Sequence, residues 1–344
     1  MARVKSGVRT DVVRGGLEGD RAERVLRFWA DQGVLEGEAA RQRLDEAVCL
    51  LLDDSGEIIG INSVHEEPLH LVGGRPFFVY RAYLPDGGAD SAVAMFNAAF
   101  EVLDAEYRAD PSRPIGICVL VTDPEEMRRR PEAIWPDTEL IYAGILPEGG
   151  QLRIRYFDDA TVGPGLPNSP TVAQSEAQDY SLGEGYRILP LAETEAATPD
   201  DVLELWARED AIPEPEAQRR VHEVLMVALD PSDGVAAVSS VYLQRNAQLG
   251  MDLWHYRTYV ANEHRMGHLA VRLLWATRDH LRERFESGED ARAPGMIMEV
   301  QNELLKTYYN RAFWVISDFF FIGEGTRGHV RVHYFPGVKA PSPQ

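Results

Sequence analysis

Lysine is almost missing from this chain: Lys5, Lys306 and Lys339 stand against 32 arginines among 344 residues. Basic charge as a whole is in deficit. Lys and Arg total 35 against 55 Asp and Glu, and the formal net charge is −20. A surface this acidic repels phosphate backbones and anionic headgroups, which excludes a nucleic acid or a membrane as the main partner. It suits a cationic acceptor such as an amine, and it also simply keeps a protein in solution. Cysteine is scarce too. Cys49 and Cys118 both lie in apolar runs, which reads as buried free thiols rather than a disulfide framework. Long apolar runs are lacking: the stretch 313–322 is broken by Ser317 and Asp318, and residues 1–16 are polar and basic, unlike a signal peptide. The expectation is a cytoplasmic protein.

What the chain does have is an internal repeat. Tyr80-Arg81-Ala82-Tyr83-Leu84 returns as Tyr256-Arg257-Thr258-Tyr259-Val260, a shift of 256 − 80 = 176. Trp29 returns as Trp206 (177), Ser63-Val64 as Ser240-Val241 (177) and Trp135 as Trp314 (179). Arg153-Ile154-Arg155-Tyr156-Phe157 returns as Arg331-Val332-His333-Tyr334-Phe335 (178). A near-constant shift along the whole chain implies a duplicated domain. Each copy reads as a strand, two helices, three antiparallel strands, a helix, a strand, a helix and two strands. This is an α/β fold with an α+β mixed sheet, its crossover helix following the third long strand. Residues 158–185 are rich in Pro, Gly, Ser and acid and have no apolar period, as a linker does. The expected division is 1–160, a linker at 161–184, and 185–344.

Two places in the second copy carry candidate chemistry. The first is the turn from strand 251–260 into helix 267–285, Val260-Ala261-Asn262-Glu263-His264-Arg265-Met266-Gly267-His268-Leu269-Ala270. A strand entering a helix through a turn with a glycine and cations offers free N–H groups to an anion; many helix starts look the same with no ligand. The second is Asn302, seven residues before Tyr309, which puts both on nearly one side of a helix. Asn302 reads equally as an N-cap and Tyr309 equally as core.

Together these residues resemble the GNAT superfamily of acyl-CoA N-acyltransferases. Its phosphate turn, Arg/Gln-x-x-Gly-x-Gly/Ala, is matched at Arg265 and Ala270, with His268 at the usual glycine. Its later signature, Asn-x-x-Ala-x-x-x-Tyr-x-x-x-Gly-Phe, is matched at Asn302 and Tyr309, while Leu305 and Phe313 replace Ala and Gly and Trp314 takes the last place. Two such copies are similar to the tandem arrangement of mycothiol synthase. The resemblance implies two tandem GNAT-like domains, the N-terminal one degenerate. In that first copy the turn reads Asp86-Gly87-Gly88-Ala89-Asp90, without Arg. The later site reads Thr122-Asp123-Pro124 and then Arg128-Arg129-Arg130-Pro131, with prolines expected to interrupt the helix.

The resemblance further implies acyl transfer from acetyl-CoA or another acyl-CoA, or from a carrier-protein thioester, to an amine of a small molecule or peptide, with no metal. Pantetheine would run along Tyr259 and Val260. The pyrophosphate would rest on Arg265, Met266, Gly267, His268, Leu269 and Ala270, and Asn302 would hold the pantetheine or the strand splay. Tyr309 would protonate the departing thiolate. Glu299, then His255, is the candidate base for the amine. The alternative reading is a non-catalytic GNAT-like binding or scaffold protein.

Overall fold

The structure is a computed structural model that describes residues 8–85, 88–163, 180–265 and 268–342. The described residues fall in two compact units, the first within Met1–Val162 and the second within Gly163–Pro341.

The first unit runs β1 (Arg9–Val12), α1 (Gly19–Asp31), α2 (Gly37–Leu44), β2 (Ala47–Leu52), β3 (Ile58–Leu69), β4 (Arg75–Tyr83), α3 (Ala89–Ala109), β5 (Gly116–Val121), α4 (Pro124–Arg129), β6 (Ile134–Trp135), β7 (Leu140–Ile145) and β8 (Gln151–Tyr156). The second runs β9 (Arg187–Pro190), α5 (Pro199–Arg208), α6 (Glu214–Arg220), β10 (Val224–Leu229), β11 (Val235–Asn246), β12 (Met251–Val260), α7 (Leu269–Glu286), β13 (Gly295–Val300), α8 (Glu303–Tyr308), β14 (Phe313–Trp314), β15 (Phe319–Glu324) and β16 (His329–Tyr334). The strand orders are β1-β2-β3-β4-β5-β8-β7-β6 and β9-β10-β11-β12-β13-β16-β15-β14, the same path twice.

The local chemistry is also duplicated. Trp29 and Trp206 each anchor a helix in the core of their own unit. Among the described residues, five non-glycine residues have left-handed backbones: Glu139, Asp159, Asp210, Asp233 and Asp318. Each has a left-handed counterpart at a shift of 177 to 179 in the other copy: Glu139 with Asp318, Asp159 with Gly337, Gly33 with Asp210, and Gly56 with Asp233. Asp enters this region more readily than most residues, and four of the five are Asp. Asp53 and Asp230 close the two β2–β3 and β10–β11 turns in one way, each accepting from the N–H groups two and four residues on.

Arg153 and Arg331 are fully buried. Arg153 lies 4.1 Å over the Trp135 ring and Arg331 4.0 Å over the Trp314 ring. Arg331 also donates to the carbonyls of Arg311 and Ala312 at 2.7 and 3.2 Å. A buried guanidinium is tolerable only with such partners. The repeated Arg, Trp and Tyr-Phe residues of the sequence are therefore core positions.

One expectation is corrected. The prolines do not interrupt the late helix of the first copy: α4 forms, because Pro124 sits in its first turn, where no intrahelical N–H is needed, and Pro131 follows its end. The apolar stretch 313–322 forms the β14–β15 hairpin, turned through Ser317 and Asp318.

His333 on β16 tests this core. It is 8% exposed among Phe319 and Phe335, and its Nδ1 donates to the Asp318 carbonyl at 2.9 Å. Burial, aided by Arg278 and Arg282, pushes its pKa down to about 4 from 6.5. The unfolded chain therefore takes up a proton below pH 6.5 that the folded chain refuses. The stabilisation is complete above pH 6.5 and is lost as pH falls toward 4. A shift of 6.5 − 4 = 2.5 corresponds to on the order of 3 kcal/mol. Guanidinium unfolding at pH 7 and pH 4.5 should show a larger loss for the native sequence than for His333→Phe. Equal losses would remove His333 from the pH dependence.

Candidate active site

The site begins with a failure of pairing. β12 and β13 run parallel and are in register at Trp254–Met296, His255–Ile297 and Tyr256–Met298. Beyond that rung the strands diverge. Arg257–Val260 pair only with β11, from Ser240 to Ala237, while Glu299 and Val300 pair only with Val330 and His329 of β16. Four residues of free strand edge make a V-shaped gap roughly 13 Å long. The same gap opens in the first unit after the rungs Phe78–Ile117 and Val79–Cys118.

Strand alternation fixes what faces the gap. Ala261 N–H donates to the Ala236 carbonyl at 2.9 Å, so residues 261, 259 and 257 bond toward β11. The main-chain groups of Thr258 and Val260 therefore point into the gap. Tyr259, expected to hold pantetheine, turns its backbone away. Its side chain packs with the α5 core and its hydroxyl donates to Glu209 at 3.3 Å. Thr258 was missed, although the alternation that picks Val260 picks it too. Val260 offers its carbonyl, which accepts from Arg265 Nε at 3.1 Å.

Arg265 lies exposed at the end of a short 3-10 turn, Asn262–His264, with its guanidinium 5.8 Å from the Tyr259 ring. Met266 and Gly267, and Asp86 and Gly87 of the first copy, lie outside the described residues. His268 is the N-cap of α7, and no side chain caps the N–H groups of Leu269 and Ala270. The His268 ring meets Tyr180 edge to face at 4.8 Å. Tyr180 had no signal in the sequence, because it sits in the stretch that reads as a linker.

Asn302 caps α8, its side chain accepting from the N–H of Leu304 at 2.9 Å and of Leu305 at 3.3 Å. Asp123 caps α4 in the first copy in the same way, accepting from Glu125 N–H at 2.9 Å. Tyr309 is the half-buried C-cap of α8. Its carbonyl accepts from Trp314 Nε1 at 2.7 Å and its ring lies 6.3 Å from the Trp314 ring. At the matching place in the first copy, the Arg130 carbonyl accepts from Trp135 Nε1 at 3.0 Å. Arg130 therefore stands where Tyr309 stands, its guanidinium 3.8 Å from the Trp135 ring and paired with Asp137.

The two candidate bases share a face of the sheet. His255 is in register with Ile297, so His255 and Glu299 project to the same side. That side also carries Tyr259 and the α5 core, while Val260 packs with α7 on the other. Glu299 is engaged: it accepts from Arg327 N–H at 2.7 Å and Arg327 Nε at 3.0 Å. The His255 ring lies 5.0 Å from Tyr242, and its Nε2 is buried with no hydrogen-bond partner among the described residues. Burial first, and Arg257 second, lower its pKa below 6.5 against the backbone of Gln244 and the charge of Glu299. Protonation of the imidazole is thus disfavoured.

No model of a known protein family matches the chain, and no curated protein matches it. Among solved structures it is similar to a GNAT-family acetyltransferase from Streptococcus pneumoniae, 10% identical, over 44% of this chain and 99% of that one, with a TM-score of 0.31. It is similar to a GNAT-family N-acetyltransferase from Escherichia coli solved with CoA, 16% identical, over 45% and 86%, TM-score 0.29. A GCN5-related N-acetyltransferase from Sphaerobacter thermophilus is 13% identical over 78% and 80%, TM-score 0.24. These likenesses carry nothing about substrate. The twice-repeated strand order and its central gap define a mixed α/β protein of two units with the same fold. Among the described residues no helix is long and apolar enough to cross a membrane, and no three His, Cys, Asp or Glu side chains gather as a metal site.

The capping geometry gives Asn302 a testable role. Asn302→Ala should destabilise the protein by about 1 kcal/mol, and Asn302→Asp should restore most of that, because Asp caps as well as Asn. Thermal unfolding of the two variants measures this. Equal destabilisation by both would show that the side-chain amide is needed for something other than the cap.

Proposed function

We propose that the chain is an N-acyltransferase whose second unit moves an acyl group from a pantetheine thioester to an amine of a small molecule or peptide. One observation carries the proposal: both units open the same gap beside the same capped helix, and only the second puts a phenol there, Tyr309, where the first has Arg130. The pantetheine arm lies in the gap as an added strand, bonded to the main chain of Thr258 and Val260.

The amine nitrogen attacks the thioester carbonyl, a C–N bond forms and the C–S bond breaks. His255 stands at the last paired rungs, on the face shared with α5, and its neutral Nε2 takes the proton from the amine. Tyr309, beside Trp314 on the other face, gives its proton to the departing thiolate and regains one from water. The two groups act from opposite faces of the sheet on a carbonyl at the apex of the gap. The base works only while unprotonated, so turnover falls with pH below His255's lowered pKa and holds above it.

Thiol release from acetyl-CoA with a panel of amines tests the activity. Tyr309→Phe should lower kcat by roughly 10²–10⁴-fold with donor binding nearly unchanged. His255→Gln should remove the acid limb of the pH–rate profile along with most of the rate. A Tyr309→Phe enzyme of full activity would take the phenol out of the mechanism. A wild-type protein that binds the thioester and transfers to no amine would favour a binding module instead.

A further inference from the structure

We infer that this site grips its donor by the pantetheine arm alone, because Tyr180 and His268 occupy the start of α7 where the pyrophosphate of CoA would rest. The donor class that fits is an acyl-phosphopantetheine thioester without the nucleotide, as a carrier protein presents it. The inference rests on the thioester reading above and names the donor within it.

Three observations converge. Tyr180 is 6% exposed and lies along the first two turns of α7, edge to face with His268 at 4.8 Å and with Trp275 at 5.5 Å. Burial, and then the charge of Tyr309, push its phenol above the ordinary value. His268 is half-buried against Tyr180 rather than turned outward, so a side chain stands where a close backbone approach to a pyrophosphate needs none.

The third observation is charge. Around the entry to α7, Arg265 is answered by Glu209, which accepts from Asn262 N–H and Asn262 Nδ2 at 3.0 and 2.7 Å and is held below the usual carboxylate range chiefly by that N–H. His264 lies 3.4 Å from Glu263 and 3.8 Å from Asp230. Arg272 lies over Trp275 at 5.4 Å. Among the described residues, acidic side chains stand beside His264 and near Arg265 and weaken the attraction for a group carrying a pyrophosphate and a further phosphate. In the gap, the Val260 carbonyl accepts from Arg265 Nε at 3.1 Å, while the main chain of Thr258 faces the gap and needs no charge to hold an amide-bearing arm.

The test compares acetyl-CoA with S-acetyl-4′-phosphopantetheine by calorimetry, on the full chain and without acceptor. The two should bind within about threefold of each other, because the nucleotide makes no contact that counts. His268→Gly, and independently Tyr180→Ala, should tighten acetyl-CoA by about tenfold and leave acetyl-phosphopantetheine unchanged. Acetyl-CoA binding the wild type tenfold or more tighter than the shorter thioester overturns the inference and leaves the acyltransferase reading standing. So does the absence of any gain for CoA in both variants. If neither thioester binds the wild type or the variants, the acyltransferase reading falls, and the inference with it.

Discussion

Everything that positions the site follows from one interrupted ladder. A parallel pair at the centre of a mixed sheet needs a crossover connection, and α7 supplies it between β12 and β13 as α3 does between β4 and β5. The pair is held at its closed end by two or three rungs. At its open end each strand is kept in place only by its outer neighbour, β11 for one and β16 for the other. Buried backbone donors and acceptors that lack partners are costly. The open edge here is only partly buried, and an extended chain entering the gap could add to it as a further strand.

The duplication supplies an internal control. Both units share the gap, the capped late helix, the left-handed turn at Glu139 and Asp318, and the Arg–Trp stack beneath the hairpin. What both copies hold in common is the architecture of the fold. What they do not share is where the proposed chemistry is to be sought. Arg130 against Tyr309 is the plainest case, since the same Trp nitrogen bonds the same carbonyl in both. Asp123 and Asn302 show the reverse: a residue that looks functional in the motif serves the helix equally in the copy without the phenol.

The sequence made the repeat, the strand order and the turn into α7 legible, because period and spacing survive when side chains drift. Trp29, Trp206, Arg153 and Arg331 stood out for the same reason: residues that large and that constant in spacing are core. Other features were hidden. Whether Glu299 is free depended on Arg327, twenty-eight residues away and set against it only by the β15–β16 hairpin. The choice between Tyr259 and Thr258 depended on which N–H of β12 bonds to β11, a matter of register rather than composition. Tyr180 was invisible because its importance comes from a non-local contact made by a stretch without periodicity.

The position of Tyr309 itself follows from weak local forces. In α4, Met127 is 1% exposed and seats the helix on its unit, with Glu125, Glu126 and Arg129 toward solvent. In α8 the polarity is inverted. Lys306 takes the place of Met127, and Leu304, Leu305 and Tyr308 are 63%, 43% and 38% exposed. No residue of α8 is buried. The helix is therefore fixed at its ends, by Asn302 accepting at one and by Trp314 donating to the Tyr309 carbonyl at the other. Trp314 is in turn held under the buried guanidinium of Arg331. A helix pinned at its caps and loose along its face opens at low cost. The phenol is thus set by a chain of two contacts running from Arg331 of β16 through Trp314 of β14 to the end of α8, while Leu304, Leu305 and Tyr308 stay exposed.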